Sequence, residues 1–142
     1  MSVSEILAEK GNSVVTTSQD QTLMEVANIL ADKKIGATIV VDSKNDVCGI
    51  ASERDIIRHI AADGSEALKK PIGVCMTQNV VSCELSETID GVMEKMTAGR
   101  FRHLPVIENG ALLGIVSIGD VVKRKIQMAE HDAEELKRYI AG

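Results

Sequence analysis

The sequence is almost without aromatic residues. Phe101 and Tyr139 are the only two in 142 residues, and tryptophan is absent. Single-stranded nucleic acids are held on stacked aromatic side chains, so this chain is not built as such a platform. A basic surplus is missing too: 16 basic against 21 acidic residues leave a net charge of −5, where polyanion binders concentrate positive charge. Long apolar runs do not occur; a membrane span needs about 20 mostly apolar residues, and charges interrupt every candidate stretch. Neither nucleic acid nor a membrane is therefore an expected partner. The cysteines, Cys48, Cys75 and Cys83, are odd in number and form no CxxC pair, which argues against a disulfide framework or a zinc knuckle. They read as small buried apolar residues of a reducing compartment. Met1–Glu5 lacks the basic start and apolar run of a signal peptide, so a cytoplasmic location is expected.

What remains is a globular composition, 44% hydrophobic and 26% charged, with a core of Val, Ile, Leu, Met and Ala. No Ser–His–Asp set, GxxxxGK[ST] loop or cluster of metal ligands stands out. Binding without turnover, and without a required metal, is the expected activity.

The chain repeats itself. At an offset of 66, Val14-Val15-Thr16 meets Val80-Val81-Ser82, Thr22-Leu23 meets Thr88-Ile89, and Val40-Val41-Asp42 meets Val106-Ile107-Glu108. After one residue is dropped the offset is 65. Gly49-Ile50-Ala51-Ser52 then meets Gly114-Ile115-Val116-Ser117, and Asp55-Ile56-Ile57 meets Asp120-Val121-Val122. Leu23, Val26, Ala27 and Leu30 have the i, i+3, i+4, i+7 spacing of one helix face, as do Ile89, Val92, Met93 and Met96. Short strands at Val14-Val15 and Val80-Val81, a β-hairpin and a second helix complete each unit as βαββα. A unit of about 60 residues is marginal alone. The expected fold class is therefore α+β, with two βαββα repeats packed sheet to sheet about a pseudo-twofold axis. The expected division is 1–71, a leading helix and the first repeat, against 72–142, the second repeat with a C-terminal helix.

The most informative chemistry is Gly-Ile-Ala-Ser-Glu-Arg-Asp at 49–55 and Gly-Ile-Val-Ser-Ile-Gly-Asp at 114–120. Ser-x-x-Asp at a helix start is close to a capping box, worth about 1 kcal/mol and requiring no ligand. It is also a strand feeding a helix N-terminus, where a phosphate or a ribose can dock on free N–H groups. Both readings stand on the sequence alone.

The duplicated βαββα unit ending in Gly-h-h-Ser-x-x-Asp-h-h (h, apolar), with Arg-His-Leu-Pro-Val at 102–106, resembles the cystathionine-β-synthase (CBS) domain family, present as a tandem pair known as a Bateman module. The resemblance covers residues 3 to about 125. It implies a regulatory module that binds adenosyl compounds, AMP foremost, or ADP, ATP, NAD(H) or S-adenosylmethionine, in clefts between the repeats. It implies that Asp55 and Asp120 bind ribose hydroxyls, with Ser52 and Ser117 beside the sugar or phosphate. A carboxylate suits that role because it accepts hydrogen bonds from two vicinal hydroxyls. Phosphate is implied to fall to Arg102 and His103, with Arg54 a further candidate. All three could instead be solvated charges. The adenine walls map onto Ser13, Val14 and Ile35 for one cleft, and Asn79, Val80 and Phe101 for the other; Phe101 also reads as core. At the offset of 66, Arg102 and His103 stand where the first repeat has Gly36 and Ala37. The Asp120 cleft is accordingly expected to favour phosphate. The ligand would modulate an unidentified protein partner or the protein's own assembly; a structural interaction module with empty clefts is the alternative.

After Val122 the apolar positions run Ile126, Ala129, Ala133, Leu136 and Ile140, which is heptad spacing. A homodimer paired through this helix is the expected assembly, and the resemblance implies flat dimers. A helix folded back on its own subunit is the alternative. Truncation after Lys125 is expected to weaken self-association in sedimentation velocity; an unchanged dissociation constant removes the helix from the interface.

Overall fold

A computed structural model describes residues 1–141 of the chain. The elements in order are α1 (Val3–Lys10), β1 (Thr16–Ser18), α2 (Leu23–Lys33), β2 (Ala37–Val41), β3 (Val47–Ser52) and α3 (Glu53–Asp63). Two short 3₁₀ segments, Gly64–Lys69 and Ile72–Val74, lead to α4 (Ile89–Gly99), β4 (His103–Glu108), β5 (Ala111–Ser117) and the long α5 (Ile118–Ala141). Local chemistry sets the boundaries. Thr22 caps α2 by accepting from the Glu25 backbone N at 3.1 Å, and Glu25 returns the bond to the Thr22 backbone, a complete capping box. Thr88 caps α4 through the Gly91 N at 3.0 Å. Both helices end on a left-handed residue, Lys34 and Arg100, at equivalent repeat positions.

The two sheets differ by one strand. β1 pairs in parallel with β2, which pairs antiparallel with β3; β4 and β5 form only a two-stranded ribbon. The strand expected at Val80-Val81 is reduced to a single parallel bridge between Cys83 and Val106, and the first strand lies at Thr16–Ser18 rather than Val14-Val15. Proline accounts for the difference. In the first repeat the Ile39 N–H donates to the Val15 carbonyl at 3.3 Å and extends the ladder upstream. The residue equivalent to Ile39 is Pro105, which has no N–H to give the Val81 carbonyl. Pairing therefore begins only at Cys83, whose N–H donates to the Pro105 carbonyl at 3.0 Å.

The compact units do not follow the division at 71/72. One unit is Ser13–Val81, and the other joins Met1–Asn12 to the chain from Ser82 onward. The leading helix α1 thus belongs with the second repeat, and the segment around Ile72 with the first. Hydrogen bonding is the reason. The Val3 N–H donates to the Glu87 carbonyl at 3.0 Å, and the Ile89 N–H to the Met1 carbonyl at 3.3 Å. In the other unit the Ile72 N–H donates to the Gln21 carbonyl at 2.7 Å, and the Leu23 N–H to the Lys70 carbonyl at 2.9 Å. Each leader thereby satisfies the entry to a repeat helix. Val3, Ile6 and Leu7 join Val92, Leu104 and Val116 in one core; Ile72 and Cys75 join Leu23, Val26 and Val40 in the other.

Cys75 and Cys83 are buried as expected, whereas Cys48 is half-exposed near the start of β3. Burial pushes the Cys83 thiol up to about 11. The heptad-spaced C-terminal segment is one continuous helix with the start of α5, not a segment folded back: every described residue from Ala129 on is exposed.

Two glycines accept the leaders. A β-carbon on Gly49 would lie 2.5 Å from the Met76 sulfur and 2.9 Å from the Thr77 backbone oxygen; on Gly114 its three nearest neighbours would all be Leu7 side-chain atoms, from 2.8 Å. A side chain can turn aside where a backbone carbonyl cannot. Gly49→Ala is expected to lose about 1–3 kcal/mol in urea denaturation, and Gly114→Ala less; equal losses would show that the Thr77 carbonyl is not the obstacle.

Candidate functional site

Both Ser-x-x-Asp turns fold alike because a strand ends in the serine and a helix starts one residue later. In the first, the Asp55 carboxylate accepts from the Ser52 backbone N at 2.9 Å and its hydroxyl at 3.1 Å, while the Asp55 N–H lies 3.3 Å from the Ser52 oxygen. In the second, the Asp120 carboxylate accepts from Ser117 N at 2.8 Å and Ser117 Oγ at 3.0 Å, with the Asp120 N–H 3.2 Å from that oxygen. The capping reading is thus correct in both repeats. It does not exhaust either carboxylate, since the serine N–H and hydroxyl both donate to Oδ2 and neither engages Oδ1. The cation beside Asp55 Oδ1 is Arg58, at 3.9 Å.

The electrostatics of the two turns differ. Lys10, the last residue of α1, places Nζ 2.7 Å from Asp120 Oδ2 and 2.9 Å from the Ile115 carbonyl. Burial favours the neutral Asp120 acid, but the Lys10 ammonium and the Ser117 N–H and hydroxyl together outweigh it and hold the carboxyl below its ordinary 3.8. Sequence reasoning missed Lys10. A repeat comparison starting at Val14 leaves α1 outside the repeat, so nothing points its last residue at a turn 110 positions away.

Arg102 is exposed just before β4, and its carbonyl accepts from Ile118 N at 2.8 Å. His103 opens β4, half-buried and paired in register with Ser117. Both therefore lie at the sheet end that carries the second turn. Arg54 is exposed in the first turn of α3. Ser13 and Asn79 are exposed and Val14 and Val80 half-buried, all within the Ser13–Val81 unit; Phe101 lies in the other unit, packed against its core. Ile35 lines an open groove of about 470 Å³ with Ala27, Ala31, Glu53 and Ile57, a volume within the range of small-molecule sites. The repeat-equivalent positions of Ala27, Ile35 and Glu53 are Met93, Phe101 and Ile118, all partly buried against the other core. The structure therefore brings Ser52 to Asp55, and gathers Ser117, Asp120, Arg102 and His103 at one end of a sheet. Among the described residues no group of three or more His, Cys, Asp or Glu could hold a metal ion, and no helix is long and apolar enough to cross a membrane.

A family model described as the CBS domain matches the chain twice, at residues 3–62 and 70–126. A CBS-domain-containing protein of Agrobacterium tumefaciens is 48% identical at a TM-score of 0.86, over 87% of this chain and 92% of that one. The CBS domain pair of protein MJ0100, solved with 5′-methylthioadenosine and S-adenosyl-L-methionine, is 26% identical at a TM-score of 0.80, over 90% of this chain and 98% of that one. A CBS domain protein of Pyrobaculum aerophilum, complexed with AMP, is 28% identical at a TM-score of 0.75, over 84% and 89%. Among curated relatives, the mitochondrial CBS domain-containing protein CBSX3 of Arabidopsis thaliana is 28% identical over 148 residues, 99% of this chain and 72% of the relative. CBSCBSPB5 from the same plant is 33% identical over 129 residues, but the match covers 90% of this chain and only 23% of the relative's length.

The lowered Asp120 ionisation has a stability consequence. A carboxyl that ionises at lower pH when folded contributes stability above its unfolded value, and loses it as the pH falls through the folded one. Asp120→Asn is expected to cost about 1 kcal/mol at neutral pH. In urea denaturation at a series of pH values, the gap from wild type should close as the pH falls below 3.8. A gap that stays constant into acid would show that the Lys10–Asp120 charge pair is not its source.

Proposed function

The chain belongs to the CBS-domain family, and from that premise we propose that it is a regulatory module that binds an adenosyl nucleotide at its two Ser-x-x-Asp turns and does not turn it over. The observation that carries this reading is the matched pair of turns. In each, the serine donors converge on one carboxylate oxygen, which leaves the other to accept from a sugar diol. Two structural relatives solved with adenosyl compounds support the ligand class. In this reading Asp55 and Asp120 take the ribose hydroxyls, with Ser52 and Ser117 alongside. Arg102 and His103, and Arg54 in the first repeat, take the phosphate. Ser13, Val14 and Ile35, and Asn79, Val80 and Phe101, supply the adenine walls.

AMP is the ligand put forward, with NAD(H), ATP and S-adenosylmethionine as the class from which the test selects. A ligand that prefers one conformation shifts the population toward it, and the module would transmit that shift to a protein partner or to its own assembly. The overhanging, apolar-striped end of α5 is the surface put forward for a homodimer: Ile126, Leu136 and Ile140 are 53%, 60% and 76% exposed.

Native mass spectrometry of freshly purified protein, followed by calorimetry with AMP and adenosine, tests the reading. AMP is expected to bind, with Asp120→Ala removing the tighter site. Arg102→Ala is expected to lower AMP affinity about tenfold or more, with a smaller effect on adenosine. No bound nucleotide and no heat with any adenosyl compound would favour a structural interaction module. Loss of the tighter site in Asp55→Ala instead would reverse the assignment of phosphate to the second repeat.

A further inference from the structure

The leaders of the two units treat their Ser-x-x-Asp turns differently, and the difference bears on ligand choice if the turns bind adenosyl compounds as proposed. In the first-repeat unit the outer edge of β3 is satisfied by backbone. The Ile50 N–H donates to the Thr77 carbonyl at 3.0 Å, and the Thr77 N–H to the Ile50 carbonyl at 2.9 Å. In the second-repeat unit the equivalent residue is Ile115, and the leader there is still helical up to Lys10. Its side chain replaces the missing backbone donor, with Lys10 Nζ 2.9 Å from the Ile115 carbonyl. The same ammonium continues to Asp120 Oδ2 at 2.7 Å. Edge satisfaction thus delivers a cation into hydrogen-bonding contact with one turn and not the other. The cation beside Asp55 is Arg58 at 3.9 Å, a side chain 73% exposed and correspondingly screened.

An ammonium has three N–H donors, and these contacts use two. Asp120 Oδ2 is shared by Ser117 and Lys10, which fixes the carboxylate without engaging Oδ1. With its charge neutralised locally, Asp120 no longer repels an incoming anion, and Arg102 and His103 stand at the same end of the sheet. We propose that Lys10 makes the Ser117–Asp120 turn selective for adenosyl ligands whose sugar carries an anionic group, by holding Asp120 for the diol and giving its remaining N–H to the anion. Among the described residues no cation makes a hydrogen bond to the Ser52–Asp55 turn, where Arg58 stands at 3.9 Å, and that turn discriminates less.

The test is calorimetry with AMP and adenosine on the full chain in an Asp55→Ala background, so that only the second turn reports. Wild-type Lys10, Lys10→Gln, Lys10→Met and Lys10→Arg are compared, each checked for a cooperative thermal transition. Neutralising Lys10 is expected to weaken AMP about tenfold or more with little change for adenosine, and Lys10→Arg to recover most of the AMP affinity. An unchanged ratio of AMP to adenosine affinity in both neutral variants would reduce Lys10 to a structural clasp and overturn the proposal. Tighter AMP binding without Lys10 would overturn it as well, by making the lysine a plug. If the chain with both Asp55 and Lys10 intact binds neither compound, the adenosyl reading itself fails and the selectivity falls with it; if that chain binds and the Asp55→Ala chain does not, the reading stands and the assignment of selectivity to the second turn is overturned.

Discussion

The backbone hydrogen bonds between each leader segment and the entry of a repeat helix organise both units. The first N–H groups of α2 and α4 have no partner within their own helices, and the leaders around Lys70–Ile72 and Met1–Val3 answer them. The leader that answers α4 precedes the first repeat in sequence, and the one that answers α2 precedes the second. Each core is therefore completed by chain from beyond its own repeat. Gly49 and Gly114 are glycines for this reason: the strand must admit Met76 or Leu7 against its backbone.

The duplication is close in pattern and unequal in chemistry, and two single residues account for much of the inequality. Pro105 removes one N–H, which shortens the parallel ladder to the Cys83 bridge and leaves a two-stranded ribbon where the first repeat has three strands. Lys10 adds one ammonium, which engages Asp120 directly, while Asp55 has its serine partners and a more distant arginine. Phe101, Met93 and Ile118 pack against the second core at positions where the first repeat has Ile35, Ala27 and Glu53 around an open groove.

The capping box and the candidate binding turn are the same residues, and the two descriptions do not compete. A carboxylate held by the serine backbone and hydroxyl through one oxygen is pre-oriented without loss of the other. Pre-orientation lowers the side-chain entropy that the carboxylate would otherwise lose when it takes up a hydrogen-bonding partner.

The repeat, its helix faces and the Ser-x-x-Asp turns were legible in the sequence because they depend on local spacing. Leu23, Val26 and Leu30 are buried together as their period requires, and Ser52 and Ser117 cap the helices that follow them. The hairpins formed with β2–β3 and β4–β5 as their turn residues indicate. The ownership of α1, the truncated ladder at Val80-Val81 and the Lys10–Asp120 pair were decided only in three dimensions. A leader's partner lies far along the chain, and nothing in local spacing says which helix entry it will answer. The pattern at Val80-Val81 reads as strand, yet its fate rests on an N–H missing from Pro105, a strand away. Residue type and period determine what a segment can form; which unsatisfied group it meets is a property of the assembled fold.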